Sequence, residues 1–362
     1  MINSNANDLG DALVRPGLRE LTPYESARRI GGSGEVWLNA NENPYPREMS
    51  ISADRWHRFP DFQPPAVVEG YARYAGVTPE QLLISRGGDE AIELLIRTFC
   101  EPGVDKVLYC SPTYGMYNIS SKTNLVALTD VPLDSEFQPD VPAILAAADG
   151  AKLLFLCSPN NPTGHMLERE RLLALLDALA GKTLVVVDEA YIEFAPTATV
   201  APLLAQYPHL VIIRTLSKAF GLAGIRCGFT LAAPAIINQL SKVIAPYPVP
   251  VPVAQIAAAA LSPEGIARMN EQVSLLNSLR DDFVSAMAKL PLVKVWASHG
   301  NFVLLQVPDN KACMAAAANA GIILRDQSKQ AALPRCVRVT IGSEEEMLRT
   351  VNALENYLRS AG

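Results

Sequence analysis

Three side chains that could carry chemistry stand at or just after short apolar runs, where buried strands would end. Lys218 follows the run 210–215 and is flanked by small or apolar residues. Desolvation and nearby cations lower the pKa of such a lysine, so its amine can attack an aldehyde. Asp188 ends the apolar run 183–188, where its carboxylate needs a cationic partner, either a protonated ring nitrogen or a structural ion pair. Tyr191 can present a phenol to the same place.

Groups suited to binding an anion occur in two segments. Gly87 and Gly88 precede Asp89 and a helical pattern, so backbone N–H groups at a helix N-terminus can close on a phosphate. The alternative is a tight turn in which Asp89 caps the helix. Further along the chain, Ser217 and Arg226 add a hydroxyl and a fork of guanidinium donors that suit the same ligand.

An asparagine in a turn-rich segment completes this set of groups. Asn161 lies in SPNNPTG (158–164), where it can aim its amide at a ligand or belong to a rigid turn that only precedes the next helix. The segments together offer an anion cradle, a carboxylate, an amide, a phenol and an amine. Pyridoxal 5′-phosphate (PLP) needs each of them for its phosphate, ring nitrogen, ring hydroxyl and aldehyde, so we predict a PLP-dependent protein.

The elements that must position these groups follow an alternating pattern. Short apolar runs lie at 82–85, 106–110, 152–157, 183–188, 210–215 and 227–232. Nearly continuous apolar runs are typical of strands buried on both faces, and helical patterns such as 169–179 lie between them. The alternation predicts an α/β domain with a mostly parallel sheet. In such sheets ligands bind beyond the carboxyl ends of the strands, which is where the candidate residues lie.

Length and composition exclude several classes of protein. The 362 residues suggest about two domains, and 49 % apolar residues exclude disorder. A net charge of −6 gives no electrostatic footprint for nucleic acid. Six cysteines without a C-x-x-C pair and four scattered histidines predict reduced thiols and no metal site. The N-terminus does not read as a signal peptide and no apolar stretch reaches the ~20 residues of a membrane helix, so we expect a cytoplasmic protein.

The pattern changes after the central part of the chain. A long helix near 265–289, several short strands and a last helix from Ser343 are typical of a smaller α+β domain. Before it, four prolines between 246 and 252 argue against a regular helix or central strand. The expected domains are an N-terminal arm with part of the small domain at 1–52, a large PLP-binding domain at 53–284 and a C-terminal small domain at 285–362.

In the order of its motifs the chain resembles the fold-type-I PLP-dependent aminotransferases. The motifs are LNANENP, SRGGDE, SPTYGMY, CSPNNPTG, VVDEAYIEF, TLSKAFGLAGIRCGF, GIILRD and VRVTIG. The resemblance covers nearly all of 20–357. TLSKAF is specific for the superfamily, whereas NANENP, APYP and GIILRD are similar to its histidinol-phosphate branch. The resemblance implies a large domain, with a mostly parallel seven-stranded sheet between helices, and a smaller α+β domain.

The resemblance also implies a role for each matched residue that faces the cofactor. Lys218 would attach to the PLP aldehyde and carry the proton, and Asp188 would pair with the ring nitrogen. Asn161 and Tyr191 would hydrogen-bond the ring hydroxyl, and Tyr114 would stack on the ring. The groups that would hold the phosphate are the backbone of Gly88 and Asp89, the side chains of Ser217 and Arg226, and the weaker candidate Thr215.

The implied substrate site contains two arginines. Arg338, on a strand with alternating apolar residues, would clamp the substrate anion with help from Arg325 and Tyr24. Asn161 would also face the substrate, and Tyr247 would line an imidazole pocket.

The implied reaction converts L-histidinol phosphate and 2-oxoglutarate into imidazole-acetol phosphate and L-glutamate, a step of L-histidine biosynthesis. Three alternatives remain: an aromatic amino-acid aminotransferase, a PLP lyase such as a threonine-phosphate decarboxylase, and a PLP-binding regulator without catalysis. The last is disfavoured, because the chain has no basic segment for DNA and keeps the catalytic residue types.

One residue departs from the family pattern. Family members usually carry tyrosine in an R-Y-P motif, and its hydroxyl reaches the cofactor phosphate of the partner subunit in a homodimer. Here the motif reads Arg58-Phe59-Pro60. Phe59 cannot donate a hydrogen bond, so we expect either weaker cofactor binding or a substitute donor nearby. The expected homodimer would exchange Phe59 and the N-terminal arm between its sites.

Overall fold

The computed structural model describes residues 6–290 and 294–361, which form α/β layers. The strands are β1 (Val36–Trp37), β2 (Leu82–Ser85), β3 (Lys106–Tyr109), β4 (Ala127–Asp130), β5 (Ala151–Cys157), β6 (Leu184–Asp188), β7 (Leu210–Thr215), β8 (Gly228–Ala232), β9 (Lys294–Val295), β10 (Phe302–Gln306), β11 (Ile322–Ile323), β12 (Arg325–Asp326) and β13 (Cys336–Thr340). The helices are α1 (Ala6–Leu13), α2 (Ala27–Ile30), α3 (Pro65–Ala75), α4 (Gly88–Phe99), α5 (Met116–Thr123), α6 (Val141–Ala147), α7 (Arg169–Leu179), α8 (Pro234–Val243), α9 (Val251–Ala260), α10 (Pro263–Met287), α11 (Asn310–Asn319) and α12 (Glu344–Ala361). Short 3₁₀ helices occupy Pro16–Leu18, Pro79–Gln81, Ile192–Phe194, Pro196–Ala198, Ala201–Ala205 and Ala223–Ile225.

A seven-stranded sheet in the order β2-β8-β7-β6-β5-β3-β4 forms the centre of the molecule. Only β8 runs against the other strands. The six apolar runs of the sequence are all strands of this sheet, which confirms the predicted α/β class. The prediction missed β4, because this edge strand is short and partly exposed and therefore lacks a continuous apolar run.

Alternation along the central strands builds an apolar layer on each face of the sheet. Leu153 and Phe155 of β5 join the cluster under α4 and α8, whereas Leu154 and Leu156 face the larger cluster on the other side. Both faces are covered, so β2, β7 and β8 are buried at every residue. The sheet is thus a rigid support, and its strand ends are fixed relative to one another.

The C-terminal part forms a second, antiparallel sheet in the order β12-β13-β10-β9. The N-terminal strand β1 pairs with β11 next to it, so a segment within 1–52 contacts the C-terminal part. The helix α10 continues across residue 284, and the domain limits at 52/53 and 284/285 remain predictions.

The proline-rich segment departs from the prediction at its end. The helix α9 begins at Val251 and carries Pro252 in its first turn. Proline lacks only an N–H that has no partner at a helix start, so this position tolerates it. None of the helices in the described ranges is long and apolar enough to cross a membrane.

A buried ion pair joins the ends of β6 and β7. Arg214 of β7 donates from Nε to Oε2 of Glu189 at 2.9 Å, and its Nη2 lies 2.8 Å from the same oxygen. The other oxygen of Glu189 accepts a bond from the backbone N–H of Val200 at 2.7 Å. The two ionic side chains are 5 % and 1 % exposed, so solvent does not screen the pair.

Arg214→Met is expected to lower the free energy of unfolding by about 3–5 kcal/mol, because Glu189 would remain buried without its partner. Urea unfolding followed by circular dichroism measures the change. The matched control is Arg349→Met, which removes the partner of Glu35 in an exposed pair at 3.1 Å and is expected to cost less than about 1 kcal/mol. Equal losses for the two variants would contradict the role of the buried pair.

Candidate active site

The segments that follow β5, β6 and β7 meet at one edge of the large sheet. In the register of the strands, Cys157 pairs with Asp188, and Asp188 pairs with Ile213. The chain then turns out of β7 through Thr215 to Lys218. Parallel strands therefore bring together side chains that are far apart in the sequence, as the alternating pattern predicted.

Asp188 is buried at this edge without a salt bridge to any described residue. Its Oδ2 accepts a hydrogen bond from the hydroxyl of Tyr117 at 2.8 Å, and its Oδ1 accepts one from the N–H of Ala190 at 3.1 Å. Burial raises the pKa of this carboxyl to about 6. The structural ion pair considered as an alternative is not present in the described chain, so the carboxylate is available to a cationic group of a ligand.

The amine of Lys218 lies over the ring of Tyr191, with Nζ 5.6 Å from the ring centroid. It donates a hydrogen bond to the carbonyl of Ala40 at 2.9 Å. Burial lowers the pKa of Lys218 to about 8, and the positive charge of Arg338 acts in the same direction. About a tenth of the amine is therefore unprotonated at pH 7 and about half near pH 8, far more than in an ordinary lysine, and an unprotonated amine is a nucleophile.

Tyr191 and Asn161 link the two sheets. The hydroxyl of Tyr191 accepts a hydrogen bond from Nδ2 of Asn41 at 2.9 Å. Burial raises the pKa of Tyr191, so its phenol remains protonated. Asn161 accepts a hydrogen bond at Oδ1 from Nη1 of Arg338 at 2.5 Å, which connects the loop after β5 with β13.

Two arginines lie opposite each other on neighbouring strands. Arg325 of β12 and Arg338 of β13 are direct partners in the register. Arg338 also donates to the carbonyl of Asn39 at 2.8 Å, and Arg325 donates to the carbonyl of Glu25 at 2.6 Å. Each retains one buried guanidinium nitrogen without a hydrogen-bond partner among the described residues, Nε of Arg338 and Nη1 of Arg325. Such donors, next to each other and of like charge, suit an anion.

The pKa values of the surrounding groups reflect this pair. Burial lowers the pKa of Arg338, and the charge of Arg325 lowers it further. Tyr24 is close enough for both arginines to lower the pKa of its phenol, against the larger raising effect of burial. The structure thus places the three residues of the predicted substrate clamp together.

The predicted phosphate groups also meet. Arg226 adopts a left-handed conformation, with φ of 56°, and its Nη2 donates to Asp89 at 3.1 Å. Its Nη1 lies 3.4 Å from the hydroxyl of Ser217, which is 2.8 Å from the hydroxyl of Thr215. Gly87 has a φ of 86°, a conformation that favours glycine, and a Cβ there would also lie 2.6 Å from Nη2 of Arg226.

The helix α4 starts at Gly88, directly beside these donors. Tyr114 borders them, because its hydroxyl donates to Asp89 at 2.9 Å. Its ring lies edge-on to Tyr24, with the ring centroids 6.2 Å apart. The segments around Asp89, Ser217 and Arg226 therefore form one pocket wall with Tyr114 on it.

Tyr247 lies elsewhere. Its ring stacks on Phe59 at 4.5 Å between centroids, and the two residues are 50 % and 75 % exposed. None of the hydrogen bonds or ring contacts within the described ranges joins this stack to the arginines. The single chain does not bring Tyr247 into the site, and its role in an imidazole pocket remains a prediction.

Sequence reasoning missed two residues that contact the site directly. Tyr117 binds Asp188, and Asn41 binds Tyr191. Tyr117 lies three residues after Tyr114, which is the spacing of one helical turn and could have indicated a shared site. Asn41 stands in the turn-rich segment 39–46, whose side chains give no such signal.

Comparison with known proteins agrees with this geometry. Residues 33–354 match the family described as Aminotransferase class I and II. The chain is 57 % identical over 336 residues to a histidinol-phosphate aminotransferase of Aeromonas hydrophila, covering 92 % of this chain and 94 % of that one. It is 53 % identical over 347 residues to a histidinol-phosphate aminotransferase of Cronobacter sakazakii, covering 96 % of both chains.

A solved structure is similar over nearly the same length. The histidinol-phosphate aminotransferase of Sinorhizobium meliloti, in complex with pyridoxal-5′-phosphate, matches with a TM-score of 0.85 at 26 % identity and covers 97 % of this chain and 99 % of its own. The chain therefore belongs to the class I and II aminotransferases and, within them, to the histidinol-phosphate aminotransferase family.

Proposed function

We propose that this protein is a PLP-dependent transaminase that moves the amino group of L-histidinol phosphate to 2-oxoglutarate, in L-histidine biosynthesis. The observation that carries the proposal is the pair Arg325 and Arg338, which lies in the same site as the amine of Lys218 and has donors without a partner in the described ranges. Both substrates carry anionic groups, and a guanidinium fork binds a carboxylate or a phosphate. The identity of 53–57 % to named relatives supports this substrate.

The residues at the strand ends fit PLP. Asp188 is a buried carboxylate without a cationic partner among the described residues, and it suits a ring nitrogen that carries a proton. Lys218 offers the amine, and Ser217 with Arg226 offers donors beside the start of α4. Gly87 precedes the start of α4 with a φ of 86°, and backbone N–H groups at such a helix start can bind a phosphate.

When bound, PLP supplies an aldehyde that takes up the substrate amine and a ring that accepts the electron pair released at the amine-bearing carbon. Asp188 keeps the ring nitrogen protonated, because an ionised carboxylate favours a positive charge opposite it. Lys218 takes the proton from the amine-bearing carbon on Nζ, since its lowered pKa of about 8 provides an unprotonated amine. Tyr191 and Asn161 orient the ring hydroxyl.

The arginines position the substrate. Arg338, held by Asn161 and Asn39, presents its remaining Nε–H to the carboxylate of glutamate or the phosphate of histidinol phosphate. A phosphate is larger and more highly charged than a carboxylate, so Arg325 is expected to contribute more to the phosphate substrate.

The proposal includes a homodimer in the cytoplasm. The stack of Phe59 on Tyr247 leaves two aromatic rings largely exposed on one chain, which is typical of a surface covered by a partner. A second copy would bring this stack to a neighbouring site, as the family resemblance implies. The six free cysteines support a reducing compartment.

The half-reaction tests the function. We expect L-histidinol phosphate, added without keto acid, to abolish the visible absorbance of bound PLP, and 2-oxoglutarate to restore it. Phenylalanine at the same concentration is expected to react much more slowly, and no carbon dioxide is expected. A faster reaction with phenylalanine would favour the aromatic aminotransferase, release of carbon dioxide would favour the lyase, and an unchanged spectrum would contradict the substrate.

Arg325→Gln is expected to lower kcat/KM for histidinol phosphate by about 10- to 100-fold, because one charged hydrogen bond to the phosphate is lost. The same variant should lose less with glutamate, whose carboxylate is satisfied by Arg338. Steady-state kinetics with both amino donors measures the difference. Equal losses for the two substrates would show that Arg325 does not select the phosphate.

Phe59→Tyr is expected to tighten PLP binding by about tenfold, because it returns a hydroxyl that can donate to the phosphate of the partner's cofactor. Titration of the apoenzyme with PLP measures the dissociation constant. Phe62→Tyr, which adds a hydroxyl to another exposed ring, serves as the control and should change nothing. An unchanged or weaker affinity for Phe59→Tyr would contradict the expected exchange of this residue between subunits.

A further inference from the structure

Tyr117 is a fully buried tyrosine behind the site. It lies in the first turn of α5, and its ring stacks on Phe155 of β5 with 4.8 Å between centroids and 9° between planes. The ring of Tyr114 meets it edge-on at 5.9 Å. These ring contacts hold the side chain in place, and its hydroxyl donates to Oδ2 of Asp188 at 2.8 Å.

The two oxygens of Asp188 each accept one hydrogen bond, Oδ2 from the hydroxyl of Tyr117 and Oδ1 from the N–H of Ala190. A carboxylate oxygen accepts more than one hydrogen bond, so Asp188 retains capacity for a donor from a ligand. We propose that Tyr117 is the positioning residue of Asp188, and that its hydrogen bond fixes the rotation of the carboxylate and keeps it ionised opposite the ring nitrogen of the cofactor. The inference rests on the proposed PLP cofactor and not on the proposed amino donor.

Among the groups around Asp188, Tyr117 has the largest effect that keeps the carboxylate ionised. Burial raises the pKa of Asp188 to about 6, and the negative charges of Asp89 on α4 and Glu189 next to it raise the pKa as well. The hydrogen bond from Tyr117 has the largest opposite effect, followed by that from Ala190.

The thiol and the phenols near Asp188 carry no charge that could stabilise its ionised form. Burial raises the pKa of Cys157 on β5, of Tyr191 and of Tyr117 itself, so these groups remain protonated. Tyr117 therefore stays a donor over the whole working range of pH.

Loss of the hydroxyl should therefore act through the charge of Asp188. Tyr117→Phe keeps the stacked ring and removes one oxygen, so the pKa of Asp188 is expected to rise above its value in the parent. A neutral carboxyl cannot pair with a protonated ring nitrogen. As the pH rises through the new pKa, Asp188 ionises again, and the loss of affinity relative to the parent should disappear.

The experiment is a PLP titration of the apoenzyme of the parent and of Tyr117→Phe between pH 6 and pH 9, followed by quenching of protein fluorescence. A rise of the pKa of Asp188 from about 6 to about 7 predicts about threefold weaker binding of the variant near pH 6.5 and less than about twofold near pH 9. Equal affinity at every pH would overturn the inference. A loss that does not depend on pH would also overturn it, because that is the result of damaged packing.

Two further variants separate charge from packing. Tyr71→Phe removes the hydroxyl of another fully buried tyrosine, stacked on Phe229 at 3.5 Å, and is expected to leave PLP affinity unchanged. In the background of Asp188→Asn, which has no carboxylate to ionise, Tyr117→Phe should cause no pH-dependent difference. A pH-dependent difference that persists there would overturn the inference.

A second probe of the same residue keeps the fold intact. Replacing the residue at 117 by 3-fluorotyrosine makes the phenol a stronger donor, which should tighten binding at pH 6, and weaker or equal binding there would overturn the inference. A parent protein that does not bind PLP would instead contradict the proposed function, so the two failures are distinguishable.

Discussion

The constraint on which the site depends is the burial of ionisable groups at the ends of parallel strands. Asp188 is buried at the end of β6 with two hydrogen-bond donors and no salt-bridge cation among the described residues. Burial alone favours its neutral form, as its raised pKa shows. The same burial favours the neutral amine of Lys218. One physical effect thus produces both a carboxylate that needs a cationic ligand and an amine that can react.

The rest of the fold serves to hold these groups in place. On the other side of the strand ends, the ion pair of Arg214 and Glu189 ties β7 to the segment after β6. The N-terminal segment lies between the two sheets, where Asn41 bonds Tyr191 through its side chain and Thr340 through its backbone N–H at 2.9 Å. Asn161 reaches Arg338 from the large sheet. The amine and the substrate arginines are therefore parts of one connected structure, although they belong to different sheets.

The periodicity of the sequence was sufficient for the large sheet because its strands are buried on both faces and read as continuous apolar runs. It failed for β4, which is partly exposed, and at Val251, where a helix starts within a proline-rich segment.

Among the site residues, Asp188 and Lys218 were indicated as candidates by their positions at or just after the ends of predicted strands. The pairing of Arg325 with Arg338 came only from family resemblance, because no local pattern reports the register of β12 on β13. Tyr117 was missed, since a buried tyrosine on a helix is indistinguishable in sequence from core packing. The roles expected of Phe59 and Tyr247 remain predictions, because both would involve a partner subunit.

Attachment of the cofactor tests the central claim most directly. The apoenzyme is incubated with PLP near pH 8, reduced with borohydride, digested and analysed by mass spectrometry. The lowered pKa of Lys218 predicts that the pyridoxyl-phosphate mass is found on the peptide that contains Lys218 and is stoichiometric there, while other lysines are labelled weakly. Labelling that is spread over surface lysines, with Lys218 unmodified, would contradict the account that the strand ends form a receptor for this cofactor.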